Sequence, residues 1–409
     1  MGESSCKTIE PLTVLVVGAG IGGLSAAIFL RRQGHNVRVF ERSRFSAEVG
    51  AAIHVAPNCQ RLLMRLGLST ADHGGTPLER VDVGFATKFT LYAHTGERVT
   101  TMSLTENIMK AGAGWNLIHR ADLHSALRDL ALSTEGAGVP VQLFLNSKII
   151  GMDVTKATLT LADGRSFTGD LVLGADGFHS WTRSFVAPES PPPFPWGKSC
   201  FRWLIPYEEL EKELPSDDKN TMYEWTGADR RIIGYPCSNH SIANFGAFVP
   251  TSEVTSSNRD WSNRASKEEL LRCFKSFDSS IQRILNQVPE SELKIWELFD
   301  MDNLPNWVSG SCALLGDAAH PFLPFMAQGG AMAIEDGASL GALLPLGTTR
   351  ADVPSRLQLY EKCRKERVEI IQDFTRRSGR NNDGIEGPRP NEYDEWENSS
   401  EILVGQIDA

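Results

Sequence analysis

One short stretch near the start constrains this chain more than any other. Thr13–Val17 (TVLVV) is continuously apolar and β-branched, the pattern of a strand buried on both faces. Gly18-Ala19-Gly20-Ile21-Gly22-Gly23 follows at once, residues 24–33 have helical spacing, and Gly34 closes the helix. Asn36–Phe40 (NVRVF) reads as a second buried strand, and Glu41 stands at its end. Gly18, Gly20 and Gly23 fit G-x-G-x-x-G: the first permits the tight turn, the second lets backbone approach a pyrophosphate, and the third lets helix and strand pack closely. The helix N-terminus then offers N–H groups to an anion. Glu41, 18 residues after Gly23, is placed to accept hydrogen bonds from a ribose. The unit predicts dinucleotide binding without saying which dinucleotide.

Composition narrows the classes. A chain of 409 residues with 41% hydrophobic content can bury a large core, as two to three domains or one interwoven unit. Lys and Arg number 41 against 51 Asp and Glu, a net charge of -10 with no basic block, so a nucleic-acid partner is not expected. No apolar run reaches the ~18 residues of a membrane span. Residues 1–10 are polar and lack a secretory apolar core, and Cys6 stands where a Gly2 lipidation signal needs Ser or Thr. The seven cysteines form no CxxC pair, and no HExxH occurs among the nine histidines. Neither a disulfide framework nor a metal site is expected, and a reducing, cytoplasmic setting fits.

Further along, residues 78–104 read as short alternating strands turning at His94-Thr95-Gly96, and residues 121–133 as a helix. Residues 141–168 read as strands with a hairpin turn at Ala162-Asp163-Gly164-Arg165, and residues 170–174 (DLVLG) as a buried strand. The five prolines within residues 187–197 predict a stiff connector outside any helix or central strand. Residues 199–250 read as β-rich, 266–288 as helical, and 312–315 as a strand leading into Gly316-Asp317. Helices are expected over 330–344 and 356–377, and the polar tail after Ser378 is expected to hug the surface or fray.

Two segments turn this pattern into a resemblance. Residues 171–183 read LVLGADGFHSWTR, and residues 313–336 read ALLGDAAHPFLPFMAQGGAMAIED. With the N-terminal GAGIGG, in this order, the chain resembles the single-component FAD-dependent aromatic hydroxylases, the para-hydroxybenzoate hydroxylase-like monooxygenases, over nearly its whole length. The resemblance implies non-covalent FAD, with NADPH or NADH as co-substrate. It implies that Asp317 contacts the ribityl chain where Gly316 allows approach, and that Gln328-Gly329-Gly330 opens a helix toward the flavin pyrimidine edge. A helix N-terminus there would stabilise the charge of reduced flavin by up to ~2 kcal/mol. It further implies Pro324 beside the reactive edge of the ring, Asp176 and Gly177 at the pyrophosphate and in nicotinamide handling, and Arg120 at the FAD phosphates.

Within that family the chain is similar to fungal salicylate hydroxylase-like and 3-methylorcinaldehyde monooxygenase-like enzymes. The matching segments are residues 50–58 (GAAIHVAPN), 200–206 (CFRWLIP) and 234–245 (GYPCSNHSIANF). In the dearomatising members an Arg and a Tyr hold the substrate phenolate, and the matching positions are Arg202 and Tyr235, expected on neighbouring strands. A phenolate is a far better carbon nucleophile than a phenol toward a C4a-hydroperoxyflavin, and a cation with a hydroxyl donor stabilises it. His54 is a candidate base on a second phenol, or a contact to a substrate carbonyl. His320 is expected to be structural or beside the flavin, His179 exposed, and Trp196, Trp203 and Trp225 core or pocket wall. No second GxGxxG appears, which disfavours a Baeyer–Villiger enzyme with two dinucleotide domains.

The expected fold is α/β: a Rossmann-type FAD-binding domain (1–77, 106–186 and 298–345), an interleaved β-sheet substrate domain (78–105 and 187–297), and a C-terminal helix and polar tail (346–409). The expected activity is hydroxylation of a phenolic aromatic, polyketide-like or salicylate/orsellinate-like, with O2 and NAD(P)H, by a monomer or homodimer. The alternatives are epoxidation or oxidation of an indole or terpenoid, and a flavin-binding protein without oxygenase activity.

Overall fold

The first strand takes the centre of a sheet because it is apolar on both faces. In the computed structural model, which describes residues 10–44, 51–68, 84–214, 219–255, 263–380 and 395–407, Thr13–Val17 lies between Leu171–Gly174 and Asn36–Phe40, parallel to both. Cys312–Leu314 with Val308–Ser309 extends this sheet on one side and Gln142–Phe144 on the other, giving six strands. The register aligns Val17, Phe40, Gly174 and Leu314. The glycine loop, Glu41, Ala175-Asp176-Gly177 and Gly316-Asp317 therefore all emerge at the carboxyl edge. Chain connections diverge there to opposite sides of the first strand, which is where open α/β sheets bind ligands. Helices Ile21–Arg32 and Gly329–Leu343 pack on each other, both buried nearly all round.

A second, seven-stranded sheet is built from segments 88–103 and 194–300. Its order is Lys294–Asp300, Phe194–Pro206, Ile242–Pro250, Arg231–Cys237, Thr221–Thr226, Lys88–Ala93, Arg98–Ser103. One face carries Phe201, Trp203, Trp225, Ile232 and Phe245 into a core closed by helices Tyr207–Glu213, Lys267–Cys273 and Ser279–Gln287. Trp203 and Trp225 belong to that core. The other face is left for a cavity. A small sheet, Ala52–Val55, Asn116–His119 and Gly84–Phe85, lies between the two large ones.

Four readings of the sequence need correction. The segment 266–288 is two helices, because Asp278 caps the second by accepting from the Ser280 N–H at 2.7 Å while Phe274 and Phe277 turn the chain inward. The proline-rich connector enters the sheet: Phe194 and Pro195 pair with Asp300 and Phe299. That is possible because pairing with Ile242–Pro250 begins only at Lys198, so Pro195 has no strand on its other side to miss an N–H. The long helix runs over Val353–Arg380. After it, Glu395–Ile407 is a further helix, with Ser399 fully buried and its Oγ 2.8 Å from Ser339 Oγ. Ser399 and Leu403 put one face of this helix against the core while Glu397 and Glu401 stay exposed; residues 381–394 lie outside the described residues, as do the N-terminal segment 1–9, Gly50, and the first part of the 78–104 region.

The six described cysteines are buried free thiols. Among the described residues no helix is long and apolar enough to cross a membrane, and no cluster of His, Cys, Asp and Glu could hold a metal ion.

Candidate active site

The loops at the carboxyl edge line a continuous groove. Its outer part, about 580 Å³, is bordered by Gly18, Gly20, Glu41, Asp176 and Gly177. Its inner part, about 530 Å³, shares Gly20 and Gly177 and adds Arg120, Gly316, Asp317, Pro324, Gly329 and Gly330. The glycines divide by role. A Cβ on Gly18 would lie 2.4 Å from the Ala175 carbonyl oxygen, and one on Gly23 would lie 2.1 Å from that of Gly18, so these two shape the turn. Gly23 lines neither part of the groove. A Cβ on Gly20 would meet nothing within 4 Å. It is an opening a ligand can fill.

Two helix N-termini face the inner groove with no side-chain cap, one behind Gly20 and one behind Gln328. Their first N–H groups have no intrahelical acceptor, so each end is an anion site. Asp317 opens onto the groove, yet the protein around it withholds enough water to raise its pKa; His320, Arg120 and Arg183 pull the other way. The Glu41 carboxylate accepts from the Ala19 N–H at 2.9 Å and the Ser43 N–H at 2.8 Å. The Asp176 carboxylate is engaged by its own loop, accepting from the N–H groups of Trp181 and Thr182 and from both hydroxyls of Ser180 and Thr182. Adjacent Gly177, at φ +79, borders both parts of the groove.

The inner groove opens into a third cavity of about 560 Å³ against the free face of the seven-stranded sheet. Ala52, His54, Arg202, Tyr235, Trp296, Pro324 and Ala327 line both. Arg202 and Tyr235 are therefore brought together, though not on adjacent strands: Ile242–Pro250 runs between theirs. Arg202 pairs with Gly246 and Gly246 with Ile233, while Tyr235 pairs with Asn244. Gly246 has no side chain to stand between them, and a Cβ there would find only ordinary contacts from 3.9 Å outward.

Burial pulls Arg202 below the ordinary guanidinium value, but it stays protonated, with its guanidinium 5.6 Å from the Trp296 ring centroid. Burial pushes the Tyr235 hydroxyl up, so it remains a donor; its contact to the Ala52 carbonyl is long, 3.4 Å. The His54 ring stands edge-on to Tyr235 with centroids 4.3 Å apart. Burial lowers its pKa to about 4, so it is neutral at pH 7. Its Nδ1 accepts from Trp115 Nε1 at 3.2 Å, which leaves the proton on Nε2. That tautomer presents a donor, which favours contact with a substrate oxygen over the base role. Trp115 and Trp296 both line the cavity, and neither stands in a recognisable sequence motif.

A buried ionic network under the groove also escaped the sequence reading. Asp336 accepts from the Gly316 N–H at 2.8 Å, from His320 Nε2 at 2.7 Å and from Arg364 Nε at 2.8 Å. Burial raises the Asp336 pKa, but His320 and Arg364 outweigh it and hold it at about 2. Arg364 Nη1 reaches Glu335 at 2.7 Å, and Arg367 and Asn58 bind the same carboxylate. Thus His320 is structural: it ties the turn carrying Asp317 to the Gly329–Leu343 helix. Arg183 ties that turn to the Asp176 loop, donating to the carbonyls of Asp317, Ala318 and Phe178. His124, buried on the helix Arg120–Leu132, bonds the Ala19 carbonyl at 2.7 Å and steadies the glycine loop. His179 is exposed.

A glycine-floored groove with two uncapped helix ends, running into a cavity with aromatic walls, defines a flavoprotein that brings a dinucleotide against an organic substrate. The chain belongs to the family described as FAD binding domain, which matches residues 11–375, and it is an FAD-dependent monooxygenase of the aromatic hydroxylase group. It is 38% identical over 376 residues to hispidin-3-hydroxylase of Neonothopanus nambi, spanning 88% of this chain and 86% of that protein. It is 31% identical over 367 residues to 3-hydroxybenzoate 6-hydroxylase 1 of Aquipseudomonas alcaligenes, spanning 89% and 87%. Among solved structures, Klebsiella pneumoniae HpxO complexed with FAD and uric acid matches with a TM-score of 0.77 at 26% identity, covering 97% and 96% of the two chains. CtdE in complex with FAD and a substrate shares the fold, with a TM-score of 0.82 at 22% identity, covering 97% and 100%.

Proposed function

We propose that this enzyme hydroxylates a phenolic aromatic, polyketide-like or salicylate/orsellinate-like, with NAD(P)H and O2, and that the phenol binds over Arg202 and Tyr235. The observation that carries this reading is the placement of one cation and one hydroxyl donor on the cavity wall, at the junction with the groove. FAD, bound non-covalently along the groove, supplies electron transfer from nicotinamide to O2 and an electrophilic oxygen. The Gly20 opening and the helix end behind it receive the pyrophosphate, with Arg120 at the phosphates, Glu41 at the ribose and Asp317 at the ribityl chain. The Gly329-Gly330 helix end and Pro324 border the ring.

The chain's own part is to hold and activate the substrate. Arg202 stabilises the phenolate by charge, and Tyr235 donates a hydrogen bond to the same oxyanion. The His54 Nε2–H donates to a second substrate oxygen. The relatives fit: 3-hydroxybenzoate, named in one of them, is itself a phenol.

The test compares Arg202→Ala with Tyr235→Phe in oxygen uptake and product yield with a phenol that the wild type converts. A hydrogen bond to a charged group contributes ~1.5–3 kcal/mol, so loss of the Tyr235 donor to the oxyanion should cost about tenfold in rate, and loss of the Arg202 cation together with its bond should cost more, up to roughly a hundredfold. Peroxide release should rise in both, because a poorly activated ring leaves the oxidant to decay. Wild-type rate and coupling in both variants would refute the assignment.

A further inference from the structure

The same cavity is lined by a second cation. Arg231 is only 5% exposed and lines the cavity two residues before Ile233 and four before Tyr235, on the same face of its strand. Its Nη1 makes one loose contact, 3.5 Å to Glu224 Oε1, which also accepts from the Thr226 hydroxyl at 3.1 Å. Among the described residues its Nε and Nη2 have no hydrogen-bond partner. The rings of Phe248 and Phe325 lie 5.6 and 4.7 Å from the guanidinium carbon. Aromatic faces only partly replace lost hydration, and two buried unpaired N–H groups on a cation are costly. Nε and Nη2 together are the edge of a guanidinium that matches a carboxylate with two parallel bonds.

Resting on the reading of this cavity as the substrate site, we propose that Arg231 is its distal anchor, binding a second acidic oxygen group of the substrate, a carboxylate or an enolate, through the Nε/Nη2 edge. Arg202 pairs through Gly246 with Ile233, so the two arginine Cα atoms are separated by two strands and two residues, roughly 12 Å. Tyr235 stands at the same separation from Arg202 on the other side of Ile233, so the register lets all three side chains face one cavity. The substrate class is an aromatic that carries an acidic group in addition to the reacting phenol. Phe325 follows Pro324 at the groove junction, so occupancy of the distal anchor and packing at the flavin edge share one short segment.

The experiment titrates the FAD-loaded enzyme with 4-hydroxycinnamate and with its methyl ester, reading the flavin absorbance. Wild type should bind the acid more tightly. Arg231→Gln should weaken the acid by about tenfold to a hundredfold and leave the ester nearly unchanged. Arg231→Lys, which keeps the charge and loses the fork, should fall between. Glu224→Gln, which removes a competing carboxylate, should tighten the acid, an effect that a merely structural Arg231 would not produce. FAD occupancy and melting temperature confirm that each variant is folded. Arg202→Ala should weaken both ligands. Equal binding of acid and ester by wild type, or an acid preference that survives Arg231→Gln, overturns the proposal. Binding that depends on Arg202 but not Arg231 sinks the distal anchor alone. Indifference to both arginines sinks the substrate-cavity reading with it.

Discussion

Replacing Arg364 by Met should reveal how the flavin side of the site is held. Arg364 has no exposed surface and bonds two carboxylates that are themselves fully buried, Asp336 at 2.8 Å and Glu335 at 2.7 Å. Met keeps much of the volume and removes the charge. Glu335 retains Arg367 and Asn58, and Asp336 retains His320 and the Gly316 N–H, but two anions are left with less positive charge than they need. Breaking a buried ion pair by deleting one partner costs about 3–5 kcal/mol. At about 2.1 cal/mol/K per residue a chain of 409 residues unfolds with an entropy of ~0.9 kcal/mol/K, so each kcal/mol lowers the melting temperature by about 1.2 °C and a fall of roughly 4–6 °C is expected. Thermal unfolding of the apo and FAD-loaded variant measures it, and urea unfolding checks that the slope is unchanged. FAD affinity should fall as well, since Asp336 positions both Gly316 and the Gly329–Leu343 helix. A variant that melts within 1 °C of wild type, ~1 kcal/mol or less, would refute the claim that this network braces the site.

Gly20→Val should leave the fold intact, since Gly20 has φ -73 and open space at its Cβ, yet raise the Kd for FAD at least ~tenfold, ~1.4 kcal/mol; unchanged FAD affinity would show that the pyrophosphate lies elsewhere. Gly23→Ala, whose Cβ meets a carbonyl oxygen at 2.1 Å, should instead destabilise the protein itself, as apo-protein melting will report. His54 is held neutral down to about pH 4, whereas the unfolded chain takes up its proton near pH 6.5. The unfolded state then binds more protons between those values, so stability is lost as pH falls through that window. His54→Gln should lose less stability there than wild type, and parallel urea midpoints from pH 7 to pH 4 in the two proteins would contradict the burial argument.

What could be read from the residues was whatever is encoded locally. Gly18, Gly20 and Gly23 announce a phosphate-binding turn because each is needed within six residues of chain, and Gly316-Asp317 stands directly after an apolar strand for the same reason. Pairings across long separations left no such mark. Arg364 meets Asp336 and Glu335 across a helix packing, and nothing in the EKCRKERV stretch around it marks that contact. Nothing in the sequence separates Arg231 from Arg230 beside it; the strand register turns Arg231 toward the cavity. The strand between Arg202 and Tyr235 was missed because β-rich sequence does not specify sheet order. Asp278 as a second helix start was visible in principle, since an Asp before Ser-Ser is a capping signal. The tail helix was not, because its burial depends on Ser399 finding Ser339.

Conversion of a phenol under isotopically labelled dioxygen, with FAD and NAD(P)H supplied, tests the central claim most directly. The account predicts a hydroxylated product carrying one labelled oxygen, formed by wild type and largely lost in Arg202→Ala while FAD remains bound. Label entering the product from water instead, or NAD(P)H oxidation that yields only peroxide with every phenol tried, would contradict it.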